Sequence, residues 1–586
     1  MIVGYIIGTA TTTSFKFRVK KEIKKFDYVK VYNEIGKYCL CQVVELERDN
    51  EKTIATCNVI GYNENKKIKI PRLPFKPNTE VLVADDEFIR DTIEISNNGL
   101  LIGKLENTNV NVRIDPKKIM TRHLAILAKT GAGKSYIAGV IVEELIKKGY
   151  PILIIDPHGE YSTLKEPNEE EKQELLRYNL KPKGFPIVEY GNSYLNDCIQ
   201  LKLKDRFLPE EFIDLLPIKL TPSQKILLYN IIKDLDEISL KKVLTALAYE
   251  NTSSKIPLIS QIKYLINTNL FDDFGLSYNE MIKPKQCTII NLKGYSNEIQ
   301  QLIVYKILTD LFNLRKISKV PPFFLLIEES HNFCPERTFG EVKSSRIIRD
   351  IASEGRKFGI GLCIISQRPA KVDKNVLSQC NVQIILKITN PNDLKAILQS
   401  VEGITLETYN EIKNLTTGTC LISGMFEQPI FVNVRPRQSK HGGKDYLLEK
   451  ELENNDVEYI IEPRISLKDF LIINGSAKII SIPGLYITVE KDDKEYNLLF
   501  ELFNGYIVSD IDSKIYHKNL KENIEEIATY YTLNKKKIEV DMHLDPKIDE
   551  KIIINKLKSF YNDIKIKRVV NCNIIMYVKD KKSNKA

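Results

Sequence analysis

The sequence has few of the residues that usually hold zinc, and it has no long apolar segment. Only six histidines and ten cysteines occur among 586 residues, and no C-x-x-C or H-x-x-x-H pair is present. This spacing excludes the common zinc templates and favours reduced, mostly buried thiols. No apolar run approaches the roughly 18 residues that cross a bilayer. Residues 1–17 lack the basic and apolar regions of a signal peptide. We therefore expect a cytoplasmic protein with no membrane segment.

Length and composition are typical of an ordinary globular protein. A chain of 586 residues is long enough for roughly three to five domains. It is 43% hydrophobic and 28% charged, which excludes a disordered or fibrous chain. The net charge of +9 fits a polyanionic partner, but a few unpaired surface lysines would produce the same value.

Three segments differ in the pattern of their apolar residues. Residues 1–95 contain short β-like runs between polar turns, which predicts a small β-barrel. Residues 96–445 alternate apolar strands with long helical segments, the pattern of a parallel α/β sheet. Within them, about 164–274 is mostly helical and charged, which indicates an inserted helical subdomain. Residues 446–586 mix both patterns and carry no chemical motif, so we expect an α+β extension of unknown role.

The segment TGAGKS, residues 130–135, has the setting of a phosphate-binding loop. An apolar strand precedes it at 124–128, and an amphipathic helix follows it at about 135–149. This order of strand, loop and helix is that of the P-loop. Ala128 departs from the motif G-x-x-x-x-G-K-[ST], because it stands where the first glycine belongs.

Each residue type in this loop suits phosphate binding. Gly131 and Gly133 let backbone N–H groups converge on phosphate oxygens at a helix N-terminus. In such loops the lysine, here Lys134, contacts the β and γ phosphates, and the hydroxyl of Ser135 binds Mg²⁺. The predicted residues for binding ATP are Thr130, Gly131, Ala132, Gly133, Lys134, Ser135 and Tyr136.

Polar groups follow three other apolar strands. The run at 323–327 ends in Glu328 and Glu329, and ATP hydrolysis needs such carboxylates to order Mg²⁺ and the attacking water. We assign Glu328 to the metal and Glu329 to the water. Asp156 is a second candidate carboxylate, although the segment DPHGEY alone would also suit an ordinary polar turn. The amide of Gln367 can hydrogen-bond both the γ-phosphate and water.

The segment EGRKFG places Arg356 at the end of a predicted helix, where a neighbouring subunit could use it. Arginines at helix ends are also commonly solvated or complement the helix dipole. The residues by themselves leave both interpretations open.

Taken together, TGAGKS, DPHGEY, IEESHNF, EGRKFG, SQRP and TNPND resemble, in order and spacing, the HerA family of archaeal and bacterial ring ATPases, which are relatives of the FtsK translocases. The resemblance extends to about residue 445. It implies a RecA-like ATPase core behind an N-terminal β-barrel. It also implies a homo-hexamer that moves double-stranded DNA through its pore and works with the NurA nuclease in DNA end resection.

The resemblance also implies roles for individual residues. Lys134 and Ser135 would bind phosphate and Mg²⁺, and Glu329 would be the catalytic carboxylate. Asp156 and Gln367 would support water and the γ-phosphate. Two arginines would reach a neighbouring subunit, Arg356 and Arg122. The chain departs from the family at Ala128 and at Glu328, where the family carries Gly and Asp.

DNA contacts have no motif of their own. Two basic segments are candidates for contacts with phosphates in a pore, but each would also suit a solvated surface. Their residues are Arg337, Lys343 and Arg346 in the first segment and Lys371 and Lys374 in the second.

Our leading hypothesis is an ATP-driven translocase of double-stranded DNA. Two alternatives stay open: an FtsK-like or conjugative DNA-pumping ATPase, and a nucleotide-dependent ring that acts as a scaffold for a nuclease. A GTPase switch is disfavoured because TNPND differs from the guanine-binding motif N-K-x-D.

Overall fold

The protein is described by a computed structural model, in which the chain divides into two compact units, Met1–Gly443 and Lys444–Ala586. No helix in the described part of the chain is long and apolar enough to cross a membrane. The described residues are 1–50, 52–65, 67–193, 195–216, 220–400, 406–442, 458–463, 467–474, 477–492, 494–502, 505–511, 515–518, 528, 529, 531, 533–536, 542–544, 546–548, 550–561 and 564–578.

The chain begins with a β-barrel, as the sequence predicts. Strand β2 additionally pairs with β5, which closes the sheet, while β6 extends from β5 as a hairpin. Alternation explains the inward face, because Phe15 and Phe17 are buried in the barrel core while Lys16 and Arg18 are exposed. The strands are β1 (Ile2–Ile7), β2 (Ser14–Val19), β3 (Tyr28–Tyr32), β4 (Tyr38–Arg48), β5 (Thr53–Glu64), β6 (Lys67–Lys69) and β7 (Glu80–Val83).

A 12-stranded sheet forms the centre of the same unit. The order is β13-β12-β16-β11-β17-β18-β10-β19-β20-β21-β8-β9, parallel from β13 to β19 and antiparallel from there on. Strands β14 and β15 pair separately. The strands are β8 (Leu100–Leu105), β9 (Asn111–Ile114), β10 (Leu124–Leu127), β11 (Ile152–Asp156), β12 (Ile187–Gly191), β13 (Ile199–Gln200), β14 (Leu203–Lys204), β15 (Phe271–Asp272), β16 (Cys287–Asn291), β17 (Phe323–Ile327), β18 (Ile360–Ser366), β19 (Val382–Ile385), β20 (Thr419–Ser423) and β21 (Ile430–Val434).

Helices cover this sheet, and its central parallel strands β10, β11, β17 and β18 are fully buried because both faces are packed. The helices are α1 (Asp86–Ile93), α2 (Pro116–Arg122), α3 (Lys134–Lys147), α4 (Lys172–Leu176), α5 (Pro209–Leu215), α6 (Pro222–Lys233), α7 (Leu240–Tyr249), α8 (Lys255–Asn267), α9 (Tyr278–Met281), α10 (Asn297–Lys316), α11 (Ser345–Glu354), α12 (Lys374–Gln379), α13 (Pro391–Ser400) and α14 (Leu406–Asn414). Short 3₁₀ turns lie at Ser162–Lys165, Ser330–Asn332, Arg337–Phe339, Gly355–Phe358 and Pro369–Lys371.

The segment predicted as a helical insertion, about 164–274, is less uniform than its charge pattern indicates. Strands β12 and β13 lie inside it and extend the central sheet beside β16. Helices α5 to α8 occupy only its second part, from Pro209 to Asn267. The sequence IVEYG of β12 is short and half-polar, so it gives no clear strand signal, and its pairing with β16 decides its structure.

The second unit contains an eight-stranded sheet of order β26-β25-β24-β23-β29-β22-β27, in which β28 pairs with β23. Its long antiparallel pair, β23 with β29, forms the centre. The elements are β22 (Glu458–Ile461), α15 (Leu467–Asn474), β23 (Lys478–Lys491), β24 (Lys494–Glu501), β25 (Ile507–Ile511), β26 (Ile515–Lys518), β27 (Asn534–Lys536), β28 (Met542–His543), α16 (Glu550–Phe560) and β29 (Lys565–Val578). The α/β fold with a barrel and an α+β extension agrees with the sequence-based fold class.

Candidate active site

The phosphate loop joins the end of β10 to the start of α3. Gly131 and Gly133 have φ values of 73° and 97°, a left-handed backbone that favours glycine. Apart from Gly131 and its two chain neighbours, no atom lies within 4 Å of where a Cβ of Gly131 would stand, so the loop is open on this side. Ala128 keeps a negative φ, and an alanine adopts that conformation without strain. The missing first glycine therefore leaves this loop geometry intact.

Lys134, the first residue of α3, lies between two carboxylates. Its Nζ is 2.9 Å from Oε1 of Glu329 and 3.6 Å from Oε2 of Glu328. All three side chains are buried, at 11%, 4% and 3% exposure. Burial alone lowers the pKa of Lys134, but the two carboxylates outweigh it and raise the pKa above its usual value. The lysine is thus held as a cation beside the phosphate loop.

Glu328 follows β17 and is closed off from solvent. The hydroxyl of Tyr161 donates a hydrogen bond of 2.7 Å to its Oε1. Burial raises the pKa of Glu328 to about 7, although Lys134 and the Tyr161 hydrogen bond oppose the shift. A buried carboxyl with this pKa is poised between its neutral and charged forms near neutral pH, so the local positive charge decides its state.

Glu329 has a left-handed backbone, with φ 46° and ψ 46°, which is uncommon for a residue other than glycine. Its Oε2 lies 3.2 Å from Nδ1 of His331, without hydrogen-bond geometry. The same Nδ1 forms a hydrogen bond of 3.1 Å with the Ser366 hydroxyl. Burial, with the charges of nearby cations, lowers the pKa of His331, while Glu329 opposes this shift. One oxygen of Glu329 therefore lacks a hydrogen-bond partner inside the site.

Asp156 ends β11 at the same edge of the sheet, and both of its oxygens are occupied. Oδ1 accepts from the backbone N–H groups of His158 and Gly159, and Oδ2 accepts from that of Tyr161. Burial raises the pKa of Asp156 to about 6, although the backbone N–H groups of Tyr161, Glu160 and Gly159 lower it. The visible role of Asp156 is to close the DPHGEY turn. Its predicted support of water stays a prediction.

Glu160 is a third carboxylate near Lys134, and our sequence reasoning gave it no role. Its charge acts on Lys134, on Glu328 and on Asp156. Its Oε2 is buried and has no hydrogen-bond partner. The sequence signal for Glu160 was its position in the segment DPHGEY, where we assigned a role to Asp156 alone.

Gln367 follows β18, the strand that lies between β10 and β17. The hydroxyl of Thr130 in the phosphate loop donates a hydrogen bond to Oε1 of Gln367. The structure therefore brings together the predicted Thr130, Lys134, Glu328, Glu329 and Gln367 at the carboxyl ends of neighbouring parallel strands, where α/β proteins bind ligands.

The two predicted trans arginines lie at the other end of these strands. Arg122 ends α2 just before β10, and its Nη1 donates to the carbonyl of Gly424 at 3.1 Å. Arg356 lies in the 3₁₀ turn before β18 and is exposed. Because β10 and β18 are parallel, both arginines are separated from their own phosphate loop by the length of a strand. A third arginine, Arg349, forms ion pairs with Glu341 and with Asp373, the latter at 3.3 Å.

The candidate DNA-binding residues lie on separate elements. Arg337 lies in a 3₁₀ turn, whereas Arg346 lies on α11, 3.9 Å from Asp214 and 74% exposed. Burial lowers the pKa of Lys343. Lys371 ends the 3₁₀ turn Pro369–Lys371, and Lys374 is the first residue of α12. Their contact with DNA stays a prediction.

Residues 435–442 pack against the outer side of α3, a contact that our sequence reasoning missed. The fully buried Arg435 donates to Glu143 and Glu144, each at 3.0 Å. Tyr136 accepts a hydrogen bond from the backbone N–H of Arg437 and donates one of 2.6 Å to Glu171. These residues are far apart in the sequence, so no local pattern could indicate the contact.

The donors at this edge suit ATP and Mg²⁺. The space beside Gly131 leaves room where a phosphate could lie, Lys134 offers a cation, and Ser135 is the second residue of α3. Glu328 supplies oxygen ligands of the kind that Mg²⁺ prefers. The loop, the cation and the carboxylates therefore lie together at this edge, and Mg²⁺ binding by Ser135 and Glu328 stays a prediction.

Comparisons with known proteins show which family this chain resembles. Two family models match, "Helicase HerA, central domain" over residues 100–311 and "HAS barrel domain" over residues 3–65. A probable DNA double-strand break repair helicase HerA of Methanocaldococcus jannaschii is 29% identical, and the alignment covers 76% of this chain and 97% of that protein. The DNA double-strand break repair helicase HerA of Sulfurisphaera tokodaii is 30% identical, with coverages of 76% and 95%.

Among solved structures, VirB4 of Thermoanaerobacter pseudethanolicus is similar with a TM-score of 0.43 and 18% identity, over 58% of this chain and 97% of that one. The sequence relatives are the stronger finding, because each alignment covers 76% of this chain at 29% or 30% identity. On the 30% identity to a relative that is covered at 95% of its length, the chain belongs to the HerA helicase family and is a P-loop ATPase.

Proposed function

We propose that this protein is an ATP-driven translocase of double-stranded DNA. We further propose that it works in the cytoplasm as a homo-hexamer and that a NurA-type nuclease is its partner in DNA end resection. The observation that carries the proposal is the pairing of Lys134 with Glu329 at 2.9 Å beside an open phosphate loop. The names of the relatives, which are DNA double-strand break repair helicases, support the role on DNA.

The residues at this edge can divide the work of ATP hydrolysis among them. Lys134 binds the phosphates, and the backbone N–H groups of the glycine loop hold them in line. The free oxygen of Glu329 accepts a hydrogen bond from the attacking water, and Gln367 orients the same water from the next strand. Bound Mg²⁺, held by Ser135 and Glu328, would neutralise negative charge on the phosphates.

The positions of Arg122 and Arg356 support a ring. In one chain they lie at the end of the sheet opposite to Lys134, so neither reaches its own phosphates. In a cyclic assembly this end of one subunit can face the phosphate loop of the next. An arginine supplied in this way contributes on the order of 10³ to 10⁵ in the rate of phosphoryl transfer.

ATPase assays on single and mixed variants test the site and the ring together. Lys134→Ala should lose nucleotide binding, whereas Glu329→Gln and Arg356→Ala should bind ATP and hydrolyse it far more slowly. Arg18→Ala, which removes an exposed arginine of the barrel, is the matched control and should behave as the wild type. Coexpressed Lys134→Ala and Arg356→Ala chains should regain partial activity, because intact loops then meet intact arginines. Mixed rings without activity would exclude Arg356 as the trans arginine and leave Arg122 to be tested in the same way.

DNA binding should depend steeply on salt and hardly on sequence, because a translocase contacts phosphates rather than base edges. Fluorescence anisotropy with two unrelated duplexes between 50 and 200 mM salt measures both properties. A flat salt response, or a strong preference for one duplex, would contradict translocation.

A scaffold for a nuclease is distinguished from a motor by DNA-stimulated ATPase activity and by strand displacement. The translocase should show both, whereas a scaffold should bind its partner and show neither. Copurification from the native source then tests whether a nuclease binds the protein.

A further inference from the structure

The resemblance to the HerA family implies an aspartate at the position of Glu328, and the longer side chain of this glutamate is held at a fixed place. Its Oε1 accepts the hydroxyl of Tyr161 at 2.7 Å. Its Oε2 is 3.6 Å from Nζ of Lys134 and accepts the backbone N–H of Glu329 at 3.3 Å. The carboxylate therefore has one oxygen on the tyrosine and the other directed toward the phosphate loop.

These contacts do not all persist during ATP binding. In the proposed reaction Lys134 binds phosphates, so the nucleotide competes with Glu328 for this lysine. The backbone N–H of Glu329 fixes only the oxygen that faces the loop. Among the described side chains that contact Glu328, Tyr161 is the one without a proposed role in phosphate binding.

Tyr161 is itself held in place from two sides. Its side chain is fully buried, so its hydroxyl has little freedom to move. Its backbone N–H donates to Oδ2 of Asp156 at 3.1 Å. Because Oδ1 of Asp156 closes the same turn through His158 and Gly159, the position of Tyr161 is fixed relative to the end of β11.

A glutamate has one more rotatable bond than an aspartate, so a metal-binding glutamate needs a partner that fixes its carboxylate. We propose that Tyr161 is a positioning residue, whose hydroxyl holds Oε1 of Glu328 so that Oε2 is presented to Mg²⁺ at the phosphate loop. This inference rests on the proposed binding of Mg²⁺ and ATP. It gives Asp156 an indirect part, because its hydrogen bonds set the turn that carries Tyr161.

The test measures metal binding rather than turnover. The full-length protein is loaded with a non-hydrolysable ATP analogue and titrated with Mn²⁺, whose electron paramagnetic resonance signal reports bound metal. Tyr161→Phe removes only the hydroxyl and should weaken Mn²⁺ binding by about 10- to 100-fold, while binding of the analogue in EDTA stays at the wild-type value. Tyr278→Phe is the matched control, because Tyr278 donates a hydrogen bond to Asp310 away from this site.

A second background separates positioning from general packing. In Glu328→Asp the shorter side chain does not reach the Tyr161 hydroxyl, so adding Tyr161→Phe should leave Mn²⁺ affinity unchanged. An equal loss in both backgrounds would overturn the positioning role. Unchanged Mn²⁺ affinity in Tyr161→Phe alone would also overturn it, while the proposed function stands if the wild type binds Mn²⁺ with the analogue. A wild type that binds neither would remove the proposed function, and this inference with it.

Discussion

Acidification should destabilise the ATPase unit through one histidine. His123 lies between Arg122 and β10 and is 1% exposed. Its Nδ1 accepts the backbone N–H of Leu362 at 3.0 Å, and its Nε2 lies 3.1 Å from the carbonyl of Ala352, to which it donates. A proton on Nδ1 would face the Leu362 N–H, so the folded protein requires the neutral ring.

The size of the effect follows from the pKa. Burial lowers the pKa of His123 from 6.5 to about 4, and the nearby charge of Arg356 adds to this, against the opposing hydrogen bond to Ala352. Between these values the unfolded chain binds a proton that the folded chain does not, so stability falls as the pH falls. The contribution is complete above pH 6.5 and should drop by about 2 kcal/mol at pH 5.

Urea unfolding of the wild type and His123→Asn at pH 7.5, 6 and 5 measures this drop. Because the sequence contains no tryptophan, far-ultraviolet circular dichroism is the suitable signal. Asparagine keeps an acceptor for Leu362, but it does not titrate. The stability advantage of the wild type should shrink by about 2 kcal/mol between pH 7.5 and pH 5. An advantage that stays constant over this range would refute the reasoning.

Glu329→Gln should bind ADP about tenfold more tightly than the wild type in a fluorescence titration. When Lys134 turns to the phosphates, it gives up an ion pair of 2.9 Å in the wild type but only a neutral partner in the variant. Equal affinities would show that this pair does not compete with phosphate. Gly139→Ala should lower the thermal midpoint, with a cost of about 1 to 3 kcal/mol, because the new Cβ would lie 2.6 Å from Cζ of the buried Arg437. A midpoint raised by the better helix propensity of alanine would contradict that packing argument.

The parts of the site that lie in continuous sequence were predictable. Strand β10, the loop and α3 form one segment, and its apolar run, glycines and amphipathic helix indicate the P-loop directly. Glu328 and Glu329 were predictable because they end an apolar strand, and parallel strands end at one edge of the sheet.

Contacts between distant residues were not predictable in the same way. The hydrogen bond between Tyr161 and Glu328 joins the segments that follow β11 and β17, two strands that are neighbours only in the folded sheet. The hydrogen bonds of Asp156 to the turn that follows it were not predictable either, and its predicted action on water stays a prediction. A carboxylate after a strand can do either, and only the backbone conformation of the turn decides between them.

The buried ion cluster that Arg435 forms with Glu143 and Glu144 of α3 limits which substitutions this protein can accept. Arg435 is fully buried with Glu143 and Glu144, and removing one member of such a cluster leaves an uncompensated charge that costs about 3 to 5 kcal/mol. Replacing the whole cluster by apolar residues of similar volume avoids that penalty. Accepted substitutions at these positions should therefore arise together. An aligned set of relatives would show position 435 covarying with positions 143 and 144, even though almost 300 residues separate them.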